Sequence, residues 1–205
     1  MSRESKSKDW MRAHVNDPYV KQAQAQGYRS RAAFKLIELI EKDRLLAPGQ
    51  CVVDLGATPG SWSQVLAKIV GVRGRVIAVD ILEMDGLAGV KFIHGDFRED
   101  AVLAELEAAL ENRPVDLVVS DMSPNLSGVA GADQARSIYL CELALDFASK
   151  HLKKNGNMAI KVFQGAGFPE FLQAMRGSFR TVVSRKPDAS RGRSSETYLV
   201  GKGLK

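Results

Sequence analysis

A mostly parallel α/β fold, seven strands with helices on both faces, is the class this sequence predicts, and three observations predict it. Short apolar runs rich in β-branched residues alternate with amphipathic stretches from about residue 30 to residue 200. The spacing between successive runs leaves room for helical crossovers, which parallel strands require. One run, Val115–Ser120, is nearly all apolar, the pattern of a strand covered on both faces. A chain of 205 residues, 45% of them hydrophobic, can bury one full core without a second domain.

Residues 1–28 are polar and weakly patterned, and they read as a flexible basic arm with one helical turn around Asp17 to Ala25. Residues 29–205 then form a single domain. From Ser30, the positions Ala33, Phe34, Leu36, Ile37 and Ile40 describe an amphipathic helix, capped by Ser30 and ended before Pro48-Gly49. The alternation follows as strand 51–55, helix 63–70, strands 75–79 and 90–93, helix 101–110 and strand 115–120. A long helix, 132–152, is read as ended by Asn155-Gly156. Strand 158–163, helix 168–176 and two closing strands, 181–184 and 197–200, complete the chain. No repeat or low-complexity tract is present.

The segment Val52-Val53-Asp54-Leu55-Gly56-Ala57-Thr58-Pro59-Gly60-Ser61-Trp62 joins a buried strand to a glycine-bearing turn and the start of a helix. Glycine lets the backbone turn tightly beside a ligand, and the free N–H groups opening the next helix can receive polar ligand atoms. Asp80 follows Gly60 by 20 positions and ends the run Val76-Ile77-Ala78-Val79, where a carboxylate can hold ribose hydroxyls. The pair points to an adenosine-bearing cofactor. A dinucleotide loop would carry G-x-G-x-x-G, and this one does not. Asp54 before the turn and Asp96 after the third strand add negative charge, which suits the ammonium and sulfonium of S-adenosylmethionine and repels a pyrophosphate. Asp96 can accept from an adenine amino group. The alternative reading of each acid, taken singly, is a helix cap or turn former. Gly56, Asp80, Asp96 and Asp121 all fall at carboxyl ends of strands, where an open parallel sheet binds its ligands.

Asp121 opens the loop Asp121-Met122-Ser123-Pro124-Asn125 and would set a carboxylate against the reactive end of the cofactor. Lys161 interrupts the apolar run Met158-Ala159-Ile160-Lys161-Val162-Phe163, where a cation is ordinarily excluded unless paired. Glu196 opens the last strand and Lys35 lies on the first helix, so two lysines and two acids can meet. Bland readings stand beside these: Lys161 as a snorkelling residue of an edge strand, Lys35 as the polar side of its helix, Glu196 as a partner for Arg191 or Arg193.

The net charge of +5 is unevenly spread. Residues 1–44 carry ten Lys/Arg against six Asp/Glu, residues 45–175 eleven against sixteen, and residues 176–205 eight against two. Basic ends around an acidic middle predict a polyanionic partner and salt-sensitive binding. Arg12, Lys21, Arg29 and Arg31, with Arg185, Lys186, Arg191 and Arg193, are the candidate phosphate contacts. Tyr28, Phe34 and Tyr139 can stack a base or serve as ordinary packing. The histidines show no metal-ligand spacing, so no metal is expected. Two separated cysteines, no secretory segment and no membrane-length apolar run predict a cytoplasmic protein.

The motifs Val52–Trp62, Ser120–Pro124, Val162-Phe163-Gln164-Gly165, Lys186-Pro187 with Ser190-Arg191, and Glu196-Thr197-Tyr198 together resemble the FtsJ/RrmJ family of ribosomal RNA large-subunit 2′-O-methyltransferases. The resemblance runs from about residue 9 to residue 201 and includes Asp17-Pro18-Tyr19-Val20 and the stretch Gly27-Tyr28-Arg29-Ser30-Arg31-Ala32. It implies a Rossmann-like S-adenosylmethionine-dependent methyltransferase fold. It also implies methyl transfer to a uridine 2′-hydroxyl of 23S rRNA in the large (50S) ribosomal subunit, by a monomer. The family's catalytic set falls on Lys35, Asp121, Lys161 and Glu196, and its cofactor contacts on Gly60, Trp62, Asp80, Asp96 and Asp121. Thr58 and Ser61 depart from the small Ala and Gly common in the family loop. Two other classes were weighed: an NAD-dependent oxidoreductase, which lacks its third glycine here, and a non-catalytic ribosome-assembly factor, which would not need Lys161, Asp121 and Glu196.

Overall fold

The structure, a computed structural model, describes residues 17–125, 127–190 and 194–205. A two-turn helix, α1 (Pro18–Ala25), precedes α2 (Ala32–Asp43), β1 (Cys51–Leu55), α3 (Ser61–Val70), β2 (Arg75–Asp80), β3 (Val90–His94), α4 (Asp100–Leu110) and β4 (Val115–Ser120). Then come α5 (Ala130–His151), β5 (Leu152–Phe163), α6 (Phe168–Ser178), β6 (Phe179–Arg185) and β7 (Glu196–Leu204). The seven strands form one sheet in the order β3-β2-β1-β4-β5-β7-β6. The first five are parallel and β7 runs antiparallel between β5 and β6.

Side-chain alternation along the strands feeds two cores. Cys51, Val53 and Leu55 pack with Val102 and Leu106 of α4, Ala144 and Ala148 of α5, and Phe171 and Met175 of α6. Val52 packs on the opposite face with Leu36 and Leu39 of α2 and Trp62, Val65 and Leu66 of α3. Along β4, Val118 faces the first core and Leu117 and Val119 the second, in regular alternation, while Val115, which precedes a register shift against β5, also joins the first. Among the described residues no helix is long and apolar enough to cross a membrane.

Three expectations are corrected. Ser30 does not cap α2 directly; Arg31 holds that position, while the Ser30 hydroxyl accepts from the Ala32 N–H at 3.2 Å and pairs with the Ser61 hydroxyl at 2.5 Å. The long helix ends at His151 and not at Asn155-Gly156, which turn inside the start of β5; Asn155 takes φ +68° there. Most important, β5 is no edge strand: β4 and β7 flank it, which removes the snorkelling explanation of Lys161.

Candidate active site

The order β3-β2-β1-β4 reverses direction between β1 and β4, the switch point at whose carboxyl strand ends an open parallel sheet binds its ligand. The turn after β1 leans over β2, with the Gly56 and Ala57 N–H groups both donating to the Val79 carbonyl at 2.9 and 3.2 Å. Gly56 has φ +80°, and a Cβ there would sit 2.7 to 2.9 Å from Met122, main chain included. Gly60 has φ +103°, and a Cβ would meet Met84, Arg29 and Leu87 within 2.9 Å. Both glycines are therefore dictated by conformation and by space. Thr58 and Ser61, the two departures from the family loop, serve as ties: Thr58 Oγ1 donates to the Leu82 carbonyl at 3.0 Å, and Ser61 meets Ser30 as above.

Asp80 is set rigidly at the end of β2. Its Oδ2 accepts from the Thr58 N–H at 2.8 Å and its Oδ1 from the Leu82 N–H at 2.9 Å, leaving lone pairs for a ligand. Asp96, two residues past β3, is gripped by the Arg98 guanidinium at 2.5 to 3.0 Å, which holds its carboxyl below the ordinary range. The Trp62 indole is buried, donates Nε1–H to the Ala32 carbonyl at 2.9 Å and packs 5.9 Å from the Tyr198 ring. Any ligand contact of Trp62 thus belongs to its main chain in the first turn of α3, whose N–H groups lack intrahelical partners.

Asp54 does not line the pocket edge as its place in the sequence suggests. It is fully buried beneath α3, where its Oδ2 accepts from the Ser63 hydroxyl at 2.6 Å and its Oδ1 has no partner. Burial pushes the carboxyl up to about 7; the Ser63 hydrogen bond opposes this, and the charges of Asp121 and Asp80 add to it. The folded chain thus keeps a proton that the unfolded chain releases near pH 4, so stability falls between about pH 4 and pH 7 and levels off above. Asp54→Asn is expected to flatten that slope. Urea midpoints should match wild type near pH 4 and exceed it at pH 8, and parallel profiles for the two proteins would refute the assignment.

The four predicted catalytic side chains converge. Ser120 is in register with Ile160, and Lys161 with Tyr198, so Asp121 leaves β4 beside Lys161. Antiparallel pairing places the beginning of β7, and so Glu196, at the same end of the sheet. Lys161 is 8% exposed, and its Nζ donates to the Asp121 carbonyl at 2.6 Å and lies 3.2 Å from its Oδ1. Lys35 Nζ reaches from α2 to Glu196 Oε1 at 2.7 Å and to the Tyr198 hydroxyl at 3.3 Å. Tyr198 closes the chain by donating to Asp121 Oδ1 at 2.8 Å. A single network, Glu196–Lys35–Tyr198–Asp121–Lys161, therefore balances two cations with two anions in a half-dry site.

Tyr198 is the site residue that sequence reasoning missed. Its signal was the i, i+2 spacing from Glu196 on one face of a strand, a spacing every core residue of that strand shares. Burial, followed by the charges of Asp121 and Glu196, raises its phenol well above the ordinary value, so it acts as a proton-bearing bridge. Burial also pushes Glu196 up, but the Lys35 hydrogen bond and charge, with the Lys161 charge, outweigh it and hold the carboxyl low.

The basic residues behave otherwise than predicted. Arg31 pairs with Asp17 and donates to the Ala189 carbonyl; Arg185 clasps Asp43 at 2.7 and 2.9 Å; Lys186 donates to the Ser194 and Glu196 carbonyls at 2.6 Å. Arg29 is bonded to three carbonyls. These four are structural ties. Lys21 is exposed on α1, while Arg12, Arg191 and Arg193 lie outside the described residues. Tyr28 and Tyr19 pack on Phe34 with centroids 5.8 Å away, and Tyr139 stands half exposed on α5.

Residues 28–204 match the family model described as FtsJ-like methyltransferase. The chain is 62% identical over 205 residues, all of both chains, to the ribosomal RNA large subunit methyltransferase E of Azoarcus sp.. It is 61% identical over 200 residues to the protein of that name from Neisseria meningitidis serogroup B, covering 98% of this chain and 97% of the relative. A solved Plasmodium falciparum chain described as a ribosomal RNA methyltransferase superposes with a TM-score of 0.75 at 29% identity, over 86% of this chain and 98% of that one. With a strand-order switch point, a glycine turn and a lysine–carboxylate network on one sheet edge, and with the family model and the relatives matching over most or all of its length, the chain belongs to the FtsJ-like methyltransferase family.

Proposed function

We propose that this methyltransferase moves a methyl group from S-adenosylmethionine to the 2′-hydroxyl of a uridine ribose in 23S rRNA of the large ribosomal subunit. The observation that carries the proposal is Lys161, a buried amine on a central strand, held by Asp121 at the carboxyl edge by the switch point. The names of the large-subunit relatives supply the substrate class.

The residues suit that donor. The carboxyl edge carries Asp80, Asp96 and Asp121, which favours a cationic nucleoside over a phosphate. Asp80 would take the ribose hydroxyls, Asp96 the adenine amino group, Asp121 the amino-acid end, and the main chain at Gly60 and Trp62 the remaining polar atoms. When bound, S-adenosylmethionine supplies an electrophilic methyl on a sulfonium.

The protein's part is to bring a weak nucleophile into line. Alignment of this kind supplies about 7–11 kcal/mol, more than a single placed base, which typically gives about 10²–10⁴-fold. Lys161 Nζ holds and orients the hydroxyl; the proton passes to the amine when that amine is neutral, and to solvent when it is an ammonium. Asp121 fixes the amine through its carbonyl and carboxylate, and Lys35, Tyr198 and Glu196 fix Asp121. In this reading residues 29–205 form the catalytic domain, residues 1–28 an arm toward RNA, and the enzyme works as a cytoplasmic monomer.

Incubation with labelled S-adenosylmethionine and, separately, assembled large subunits, naked 23S rRNA and tRNA tests the proposal. The label should map to a uridine 2′-oxygen of the large-subunit RNA. Label on a base, or on tRNA alone, would reject it.

A further inference from the structure

The Arg29 guanidinium lies against Gly60, with Nη1 2.8 Å from where a Cβ would stand. It donates to the Pro59 carbonyl at 2.9 Å, the Asp85 carbonyl at 2.8 Å and the Gly86 carbonyl at 3.1 Å. Its own main-chain N–H donates to Gln64 Oε1 at 2.8 Å, and Gln64 Nε2 returns to the Gly27 carbonyl at 3.0 Å. One side chain thereby joins three segments distant in sequence: the end of the arm, the glycine turn after β1, and the loop between β2 and β3. Residues 81–89 of that loop form neither helix nor strand. Thr58 and His94 hold its first two residues through the carbonyls of Leu82 and Ile81. Among the described residues, the side-chain hydrogen bonds that reach residues 83–88 from elsewhere come from Arg29.

We propose that Arg29 is a positioning residue for the methyl-donor site: it clamps the β2–β3 loop, with Met84 and Leu87, against the Gly60 turn and so sets donor affinity. The proposal rests on the reading that this turn holds the donor. It departs from the expectation that Arg29 contacts RNA phosphates. All three acceptors are main-chain carbonyls, shared between two nitrogens of a rigid fork, Nη1 to Pro59 and Asp85 and Nη2 to Gly86, a span that the single nitrogen of a lysine does not reproduce. No carboxylate pairs with Arg29 among the described residues, so the charge is not spent on an ordinary surface bridge. The clamp would also tie the order of residues 27–30 to that of the donor loop, so an RNA that grips the arm would tighten both.

Arg29→Ala and Arg29→Lys in the full chain test this by three readouts. Amide hydrogen exchange in residues 83–88 should quicken in both variants, with no donor present, while exchange in β4 and β5 stays as in wild type. The dissociation constant of S-adenosylmethionine, by calorimetry, should rise about tenfold or more, the effect of losing about one charged hydrogen bond net. In kinetics the donor KM should rise while kcat at saturating donor falls less than about threefold, the split of an interaction common to ground and transition states. Unchanged exchange in residues 83–88 would overturn the clamp whatever the protein binds. Unchanged donor affinity, with RNA affinity reduced and its salt slope shallower by about one, would show a phosphate contact instead and also overturn it. Failure of the wild-type protein to bind S-adenosylmethionine would reject the functional reading, and the exchange measurement would still decide whether Arg29 holds the loop.

Discussion

Lys161→Ala is expected to lower kcat for methyl transfer by about 10²–10⁴-fold while the S-adenosylmethionine dissociation constant stays within a few-fold of wild type. The amine sits on β5 with its nitrogen 2.6 Å from the Asp121 carbonyl, and in the proposed function it would meet the acceptor hydroxyl and not the nucleoside end of the donor, which is assigned to Asp80. Truncation leaves Asp121 with the Tyr198 donor and with water, since its side chain is 22% exposed. The variant should therefore fold. Single-turnover rates at saturating donor and RNA, beside calorimetric titration of the donor, check both halves of the expectation. Lys161→Arg should not restore wild-type turnover, because a guanidinium stays protonated and presents a planar fork where the lysine presents a single nitrogen. Wild-type turnover by Lys161→Ala would remove the lysine from the mechanism.

Gly56→Ala should destabilise the fold by about 2–4 kcal/mol and lower activity with it, a larger loss than most single substitutions cause. Two costs add. Alanine resists φ +80°, and its Cβ would fall 2.7 Å from Met122 Cγ and 2.8 Å from the Met122 main-chain nitrogen, which cannot step aside as a side chain can. Met122 follows Asp121, whose N–H donates to the Leu55 carbonyl at 3.1 Å, so parting β1 from β4 displaces the carboxylate that holds Lys161. Gly49→Ala is the control. Gly49 has φ +82° with nothing within 4 Å of a Cβ, so it bears the conformational cost alone, about 1 kcal/mol. Equal urea-derived losses for the two variants would refute the steric part.

The strands were legible because they are short apolar runs; the end of β1 was legible because Gly56 follows it, and the ends of β2 and β4 because charge interrupts those runs at Asp80 and Asp121. Lys161 was legible for a related reason: a cation inside an apolar strand demands a partner. Tyr198 was not, since a tyrosine among Thr197, Leu199 and Val200 looks like any other core residue until the register sets it opposite Lys161. The intramolecular partners of Arg29, Arg31, Arg185 and Lys186 were not legible, because a cation in sequence carries no sign of its acceptor. Their acceptors are mostly carbonyls and acids 30 to 158 residues away.

Local chemistry, read along the chain, determined the alternation of elements, the glycine turn and the acids at the strand ends, whereas the grouping of Lys35, Asp121, Lys161 and Glu196 in one site came from the family resemblance, since spacing alone does not select those four. Periodicity and charge are properties of neighbouring residues, and the first three conclusions needed nothing more. Only the tertiary structure decided that β7 inserts antiparallel beside β5 and brings Glu196 and Tyr198 to the same edge as Lys161, that Asp54 lies buried beneath α3, and that Arg29 binds loop to loop. Strand order and long-range hydrogen bonds depend on which surfaces meet when the sheet closes, and no local pattern encodes that pairing.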